Sequence, residues 1–199
     1  LTATQAGVLT STQLAALSST QVSALTTTSL GGLVASQVAA LSTAQVSALS
    51  ANQLSALTAT GISGLTTCQL AVLTTSQLGS LTTTQLAELG STQAAALTTT
   101  QLSSLTTTQL SALSSTAIEG LSVTQVASLT TRQVAALTAT QVAALDETQS
   151  SALTSSQISA LTTTEMGQLV STQVASLTAT QLAALSTTQL GVLTVTEIA

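Results

Sequence analysis

Leu recurs at every eighth residue from Leu1 to Leu193, and all 25 of these positions are Leu. Numbering the octad from that Leu, place six is Leu, Val, Ile or Met in 22 of the 25 octads, the exceptions being Ala6, Ala94 and Ser150. Places two to five between them are mostly polar. Place two is Ser or Thr in 21 octads, and place five is Gln in 20 and Glu in two more, Glu165 and Glu197. Places seven and eight are mostly Ala, Ser or Gly. The consensus L-T-x-T-Q-[LVI]-A-A is visible in Leu81-Thr82-Thr83-Thr84-Gln85-Leu86-Ala87 and again from Leu137 to Ala144. No linker or shift of composition interrupts it. Residues 1–199 therefore read as a single array of 25 octapeptide repeats, a segment of a longer chain or fibre.

Three backbones compete for this pattern. In one continuous α-helix, apolar positions spaced 5, 3, 5, 3 would drift, because eight residues turn a helix by about 800° and shift the stripe by about 80° per octad. Supercoiling absorbs repeats near 3.5 or 3.67 residues per turn, not 4.0. The second backbone breaks the helix once per octad. Ser/Thr at place two and Gln/Glu at place five form S/T-x-x-E/Q, the capping box, in which the hydroxyl accepts the N3 amide and the Gln accepts the N-cap amide. Leu at place one and the aliphatic residue at place six then stand at N′ and N4, the two positions of a hydrophobic staple. Ala at the last two places favours helix. The third backbone is a β-solenoid. Thr and Val suit strands, and Gln and Thr ladders occur in stacked strands. Tight β coils need turn residues, however, and the chain has 10 Gly, one Asn and no Pro. The pattern favours an all-α solenoid of very short helices, one per octad, with the β-solenoid as the alternative.

A lone octad cannot hold itself together. Its two aliphatic side chains contribute about 2 kcal/mol each on burial, whereas ordering eight residues costs about 12 kcal/mol. Stacking must supply the rest, with the Leu columns forming one continuous core. Three octads per coil would give a stack of roughly 80 Å and four roughly 60 Å, at about 10 Å between stacked helices. The pattern leaves both open. No terminal octad is a polar cap of the kind solenoids carry, so flanking repeats or end-to-end stacking of copies is expected.

Composition then removes most function classes. Only 4% of residues are charged, there is no His and no aromatic residue, and the net charge is −5. General acids, bases and activated nucleophiles come from residue types this chain nearly lacks. No enzyme activity, catalytic residue, cofactor site or metal site is expected. One Arg cannot neutralise a phosphate backbone and no ring can stack on a base, so nucleic acid is excluded as a partner. A single Cys cannot build a disulfide framework. No apolar run approaches the 18 or so residues of a membrane span.

The residues that break the consensus read blandly. Cys68 and Arg132 share place four, which places them in solvent. Asp146 and Glu147 fall at N-cap and N1, where acids suit a helix N-terminus. Glu88 and Glu119, at places eight and seven, mark exposed octad ends. Ser29, Gly61 and Ala117 in place of Gln, and Val34 and Val170 in place of the hydroxyl, predict weak caps costing about 0.5–2 kcal/mol each.

The octad L-[ST]-x-T-Q-[LVI]-A-A-L resembles the octapeptide-repeat stretches of very long bacterial surface proteins of adhesin-like or haem-utilisation-like type. The resemblance spans all 199 residues but rests on a low-complexity motif. It implies an extracellular or cell-surface setting. It does not bring a haem role, since no His or Met/His pair could hold the iron. L-T-x-x-Q-V-x-x-L is also similar to the first helix of TAL-effector repeats, but the period of eight and the missing base-reading positions end that likeness. The expected function is therefore structural: an extracellular spacer, stalk or filament core, self-associating end to end or laterally, with Ser/Thr at places two to four open to O-linked glycans. The alternative is a Thr-rich ice-binding or adhesive surface, which requires the β-solenoid.

Overall fold

The computed structural model describes residues 1–196, with side chains through residue 193. Twenty-four short helices, numbered α1 to α24 along the chain, follow one another from Ala3–Gly7 to Thr187–Thr196. All but the last have four to six residues, and no strand occurs among the described residues. The all-α solenoid is the fold. The β-solenoid alternative is overturned, and the Thr array that an ice-binding surface would have needed goes with it. Ala pairs and a Ser/Thr–Gln bracket, whole or half, in every octad leave no extended segment long enough to pair.

Each helix starts where the bracket places it. At α11 (Thr83–Ala87), the N-cap Thr82 is extended at φ −70° and ψ 160°. Its hydroxyl accepts the Gln85 N–H at 3.2 Å, and Gln85 Oε1 accepts the Thr82 N–H at 2.8 Å. Both orphan donors of the first turn are thereby satisfied within the octad. The helix ends as regularly. Leu86 N–H bonds to Thr82 C=O at 3.0 Å, and Leu89 N–H bonds back three residues to Leu86 C=O at 3.2 Å, a tightened last turn. The next octad then begins in extended backbone. No described residue has a positive φ. The chain redirects itself through the Leu–Ser/Thr step alone, so it needs neither Pro nor left-handed glycine. The exception is α24 (Thr187–Thr196), which continues through Leu193 and Thr194 rather than ending before them. The capping partner expected there, Glu197, lies outside the described residues.

The helices wind into a coil whose pitch lies between the two expected values. Each helix packs against the third one before it, as α4 (Thr27–Leu30) does on α1 (Ala3–Gly7), and α8 (Ala59–Ser63) on α5 (Ala35–Ala39). Contacts between coils also reach residues 28 to 31 positions earlier. Twenty-eight residues are three and a half octads, so each helix sits over the junction between two helices below it, as bricks are laid. The chain makes about seven such coils. Leu at place one and the aliphatic residue at place six fill the interior. From Leu30 to Leu169 these columns are buried, with Leu54, Leu70, Leu86 and Leu102 fully enclosed, whereas Leu182 and Leu190 in the last coil are exposed. No aromatic ring is needed in so narrow a core.

Candidate functional site

Among the described residues the repeated polar group is the glutamine of place five, exposed in the first coil at Gln5, Gln13 and Gln21 and mostly buried from Gln37 onward. Gln37, Gln69, Gln85, Gln101, Gln125 and Gln141 are all within the protein interior. Their position follows from the bracket: N3 of a one-turn helix faces the coil below. At Gln85 the Oε1 takes its own N-cap amide. The Nε2 donates to the carbonyls of Leu54 at 3.1 Å, Ser55 at 3.3 Å and Leu57 at 2.7 Å, all in the preceding coil. Gln101, Gln125, Gln141, Gln157 and Gln181 repeat the contact, donating 28 residues back to Leu73, Leu97, Leu113, Leu129 and Leu153 at 2.6–2.7 Å. These carbonyls include those the last helical turn leaves unpaired. One amide therefore closes the N-terminus of its own helix and the C-terminus of another. Turning that amide over would set Oε1 against three carbonyl oxygens, so the orientation is fixed chemically.

This second role explains a bias that capping alone does not. Gln and Glu serve equally in a capping box, yet Gln outnumbers Glu 20 to 2. A carboxylate has no hydrogen to donate downwards. At Glu165 only the upper half remains: Oε2 accepts the Thr162 N–H at 2.7 Å. Glu165→Gln is expected to restore a donor for the carbonyls of Leu137 and Val134, which lie 28 and 31 residues earlier, and to add about 1 kcal/mol of stability in urea unfolding. No gain would mean that the amide donor contributes little.

The consensus-breaking residues lie largely where their places put them. Cys68, Arg132, Glu88, Glu119, Asp146 and Glu147 are exposed. Asp146 caps its helix, with Oδ1 accepting the Gln149 N–H at 2.6 Å, and Glu147 is in the first turn. An open groove of about 360 Å³ beside them is lined by Leu145, Val170, Thr172 and Gln173. No group of three or more metal-ligating His, Cys, Asp or Glu residues occurs among the described residues.

Each predicted weak cap keeps half of its bracket. Ser29, Gly61 and Ala117 lack the Gln side chain, but their N–H groups still bond to Thr26, Thr58 and Ser114. Val34 and Val170 offer no acceptor, but their N–H groups reach Gln37 and Gln173 at 2.8 Å. Val34 is half exposed, and Thr has the same shape. Val34→Thr is expected to supply the missing acceptor for Gln37 N–H and to stabilise by about 0.5–1.5 kcal/mol, read as a shift in the urea midpoint. An unchanged midpoint would show that the Gln half of the bracket suffices.

Places two to four lie on the outer surface, as does place seven in most octads. Thr82, Thr83 and Thr84 are exposed, as are Thr106, Thr107 and Thr108, and so on around and along the stack. No helix among the described residues is long and apolar enough to cross a membrane.

Among known families, residues 105–139 match the ALTTAQ repeat. The name reads across the octad junction, and Ala40-Leu41-Ser42-Thr43-Ala44-Gln45 follows it with one change. No curated protein matches the chain. The match and the uniform short helices together identify a tandem structural repeat.

Proposed function

We propose that this chain is an extracellular length-setting element, a spacer, stalk or filament core, and not a catalyst. The observation that carries the reading is the glutamine contact between coils. It is built only from groups every consensus octad possesses, so coils can be added without limit and without a special residue. A coil of a second copy offers the same amides and carbonyls, which supports end-to-end growth as well as covalent repetition. Exposed Ser and Thr, above all at places three and four, which stand outside the capping bracket, supply attachment points for O-linked sugars, and a sugar coat would keep so weakly charged a surface in solution.

Electron microscopy of the natural polypeptide carrying these repeats tests the reading. A rod or filament whose length rises in proportion to the number of octads is expected, and a compact particle of fixed size would refute it. Intact mass of material from its natural source tests the sugars separately: mass above that of the bare polypeptide supports them, and the bare mass removes them from the proposal.

A further inference from the structure

Three octads have neither Gln nor Glu at place five, and the same three are the only ones with Gly at place eight: Ser29 with Gly32, Gly61 with Gly64, and Ala117 with Gly120. The structure gives this coincidence a physical cause. A Cβ added at Gly32 would stand 2.0 Å from the Ala3 carbonyl oxygen of the coil below. At Gly64 it would stand 2.1 Å from the Ala35 oxygen, and at Gly120 2.3 Å from the Ser91 oxygen. All three clashes are with backbone, which cannot swing aside as a long side chain can. Elsewhere place eight carries a side chain, as at Ala40, Ala48, Ala56, Ala96 and Ala144. The helices concerned are α4 on α1, α8 on α5, and α15 (Ser115–Glu119) on α12 (Ser91–Ala95).

What fills the gap differs in the same octads. In a consensus octad the glutamine amide stands between coils and takes the Leu carbonyl 28 residues earlier. Without it, that carbonyl is reached by something shorter. Ser29 Oγ donates to the Leu1 carbonyl. Ser114 Oγ donates to the Leu89 carbonyl at 3.2 Å, the oxygen a Gln at 117 would take. At Gly61 the backbone itself closes in, so that an added Cβ would lie 3.2 Å from the Leu33 oxygen.

We propose that places five and eight form a compensating pair that sets the local distance between coils. A Gln at place five props the coil up by one amide and leaves room for a side chain at place eight. A small residue at place five lets the coil settle onto its neighbour, and only Gly at place eight admits that approach. The array is thus built from two interchangeable contacts, a propped one and a closed one, and the closed one shortens the stack locally at three chosen points.

The test is a set of variants of the full 199-residue chain followed by thermal unfolding. Gly120→Ala adds a Cβ to a closed contact, and Ala117→Gln inserts a prop into one. Each is expected to lower Tm by about 3–10 °C. The double variant A117Q/G120A rebuilds the propped pair and is expected to return within about 2 °C of the parent. Gly61→Gln, Gly64→Ala and their double should behave alike. Gly79→Ala is the control, since an added Cβ there meets nothing within 4 Å, and it should hold or raise Tm. The proposal is overturned if G120A and G64A leave Tm unchanged, or if the double variants lose as much as their single losses combined. Should a single variant fail to fold, a folded double supports the pairing and an unfolded double refutes it.

Discussion

Gln85→Met should be among the most damaging single changes that this fold allows outside the aliphatic core, costing about 3–5 kcal/mol. Methionine keeps the length and volume of the side chain, so packing is held nearly constant. It removes an acceptor for the Thr82 N–H and a donor to Leu54, Ser55 and Leu57. Gln85 and the carbonyls of Leu54 and Leu57 are buried, and each buried polar group left unpaired costs about 1–3 kcal/mol. The same change at Gln13 provides the scale. Gln13 is exposed and its side chain accepts only the Thr10 N–H, at 2.8 Å, so Gln13→Met should cost about 1 kcal/mol, the value of a cap. Urea unfolding gives the difference between the two. Amide exchange gives its location, because the Thr82 N–H should exchange faster in Gln85→Met. Equal losses at the two positions would show that capping alone matters and that the contact between coils is incidental.

Ser150→Val should act in the opposite direction and stabilise by about 2 kcal/mol. Ser150 stands at place six, within the aliphatic column, and is fully buried. Its backbone is used, since its N–H bonds to Asp146 C=O at 2.9 Å and its C=O accepts from Gln181 at 3.1 Å. Its hydroxyl is the one buried side-chain polar atom without a hydrogen-bond partner among the described residues. An unpaired buried hydroxyl costs about 1–3 kcal/mol, and the two methyl groups of valine add apolar contact. Overpacking is the competing effect. It is the weaker one here, because Val126, Val134 and Val142 occupy place six fully buried. A raised urea midpoint with an unchanged slope is the expected result. A lowered midpoint would mean that the column has closed around the serine.

The local half of this architecture can be read from eight residues. Ser/Thr, two arbitrary residues and Gln, framed by Leu and a second aliphatic residue, define the N-cap, N3 and both ends of the staple, and Thr82 and Gln85 do in the structure what that frame requires. The long-range half cannot be read from one octad. The partners of Gln85 Nε2 lie 28 to 31 residues away, a separation set by the pitch, and a pitch of three and a half octads leaves no whole-octad register to detect. Two traces were nonetheless present. The excess of Gln over Glu signalled a donor that capping does not need, and Gly32, Gly64 and Gly120 fell only in octads without Gln. Ser150 was visible as an exception at place six, but that its hydroxyl has no partner is a fact of packing. At α24 the local frame did not end the helix where it does in other octads.

The short reach of the glutamine contacts has a mechanical consequence. Every described one joins a coil only to the one before it, 28 to 31 residues earlier, and no cross-link among the described residues spans the stack. Tension applied at the two ends must then open it a ring at a time, like thread drawn from a spool. Each ring of 28 residues would pay out about 90 Å of slack before the next yields, so the array is expected to lengthen under load in steps of that size.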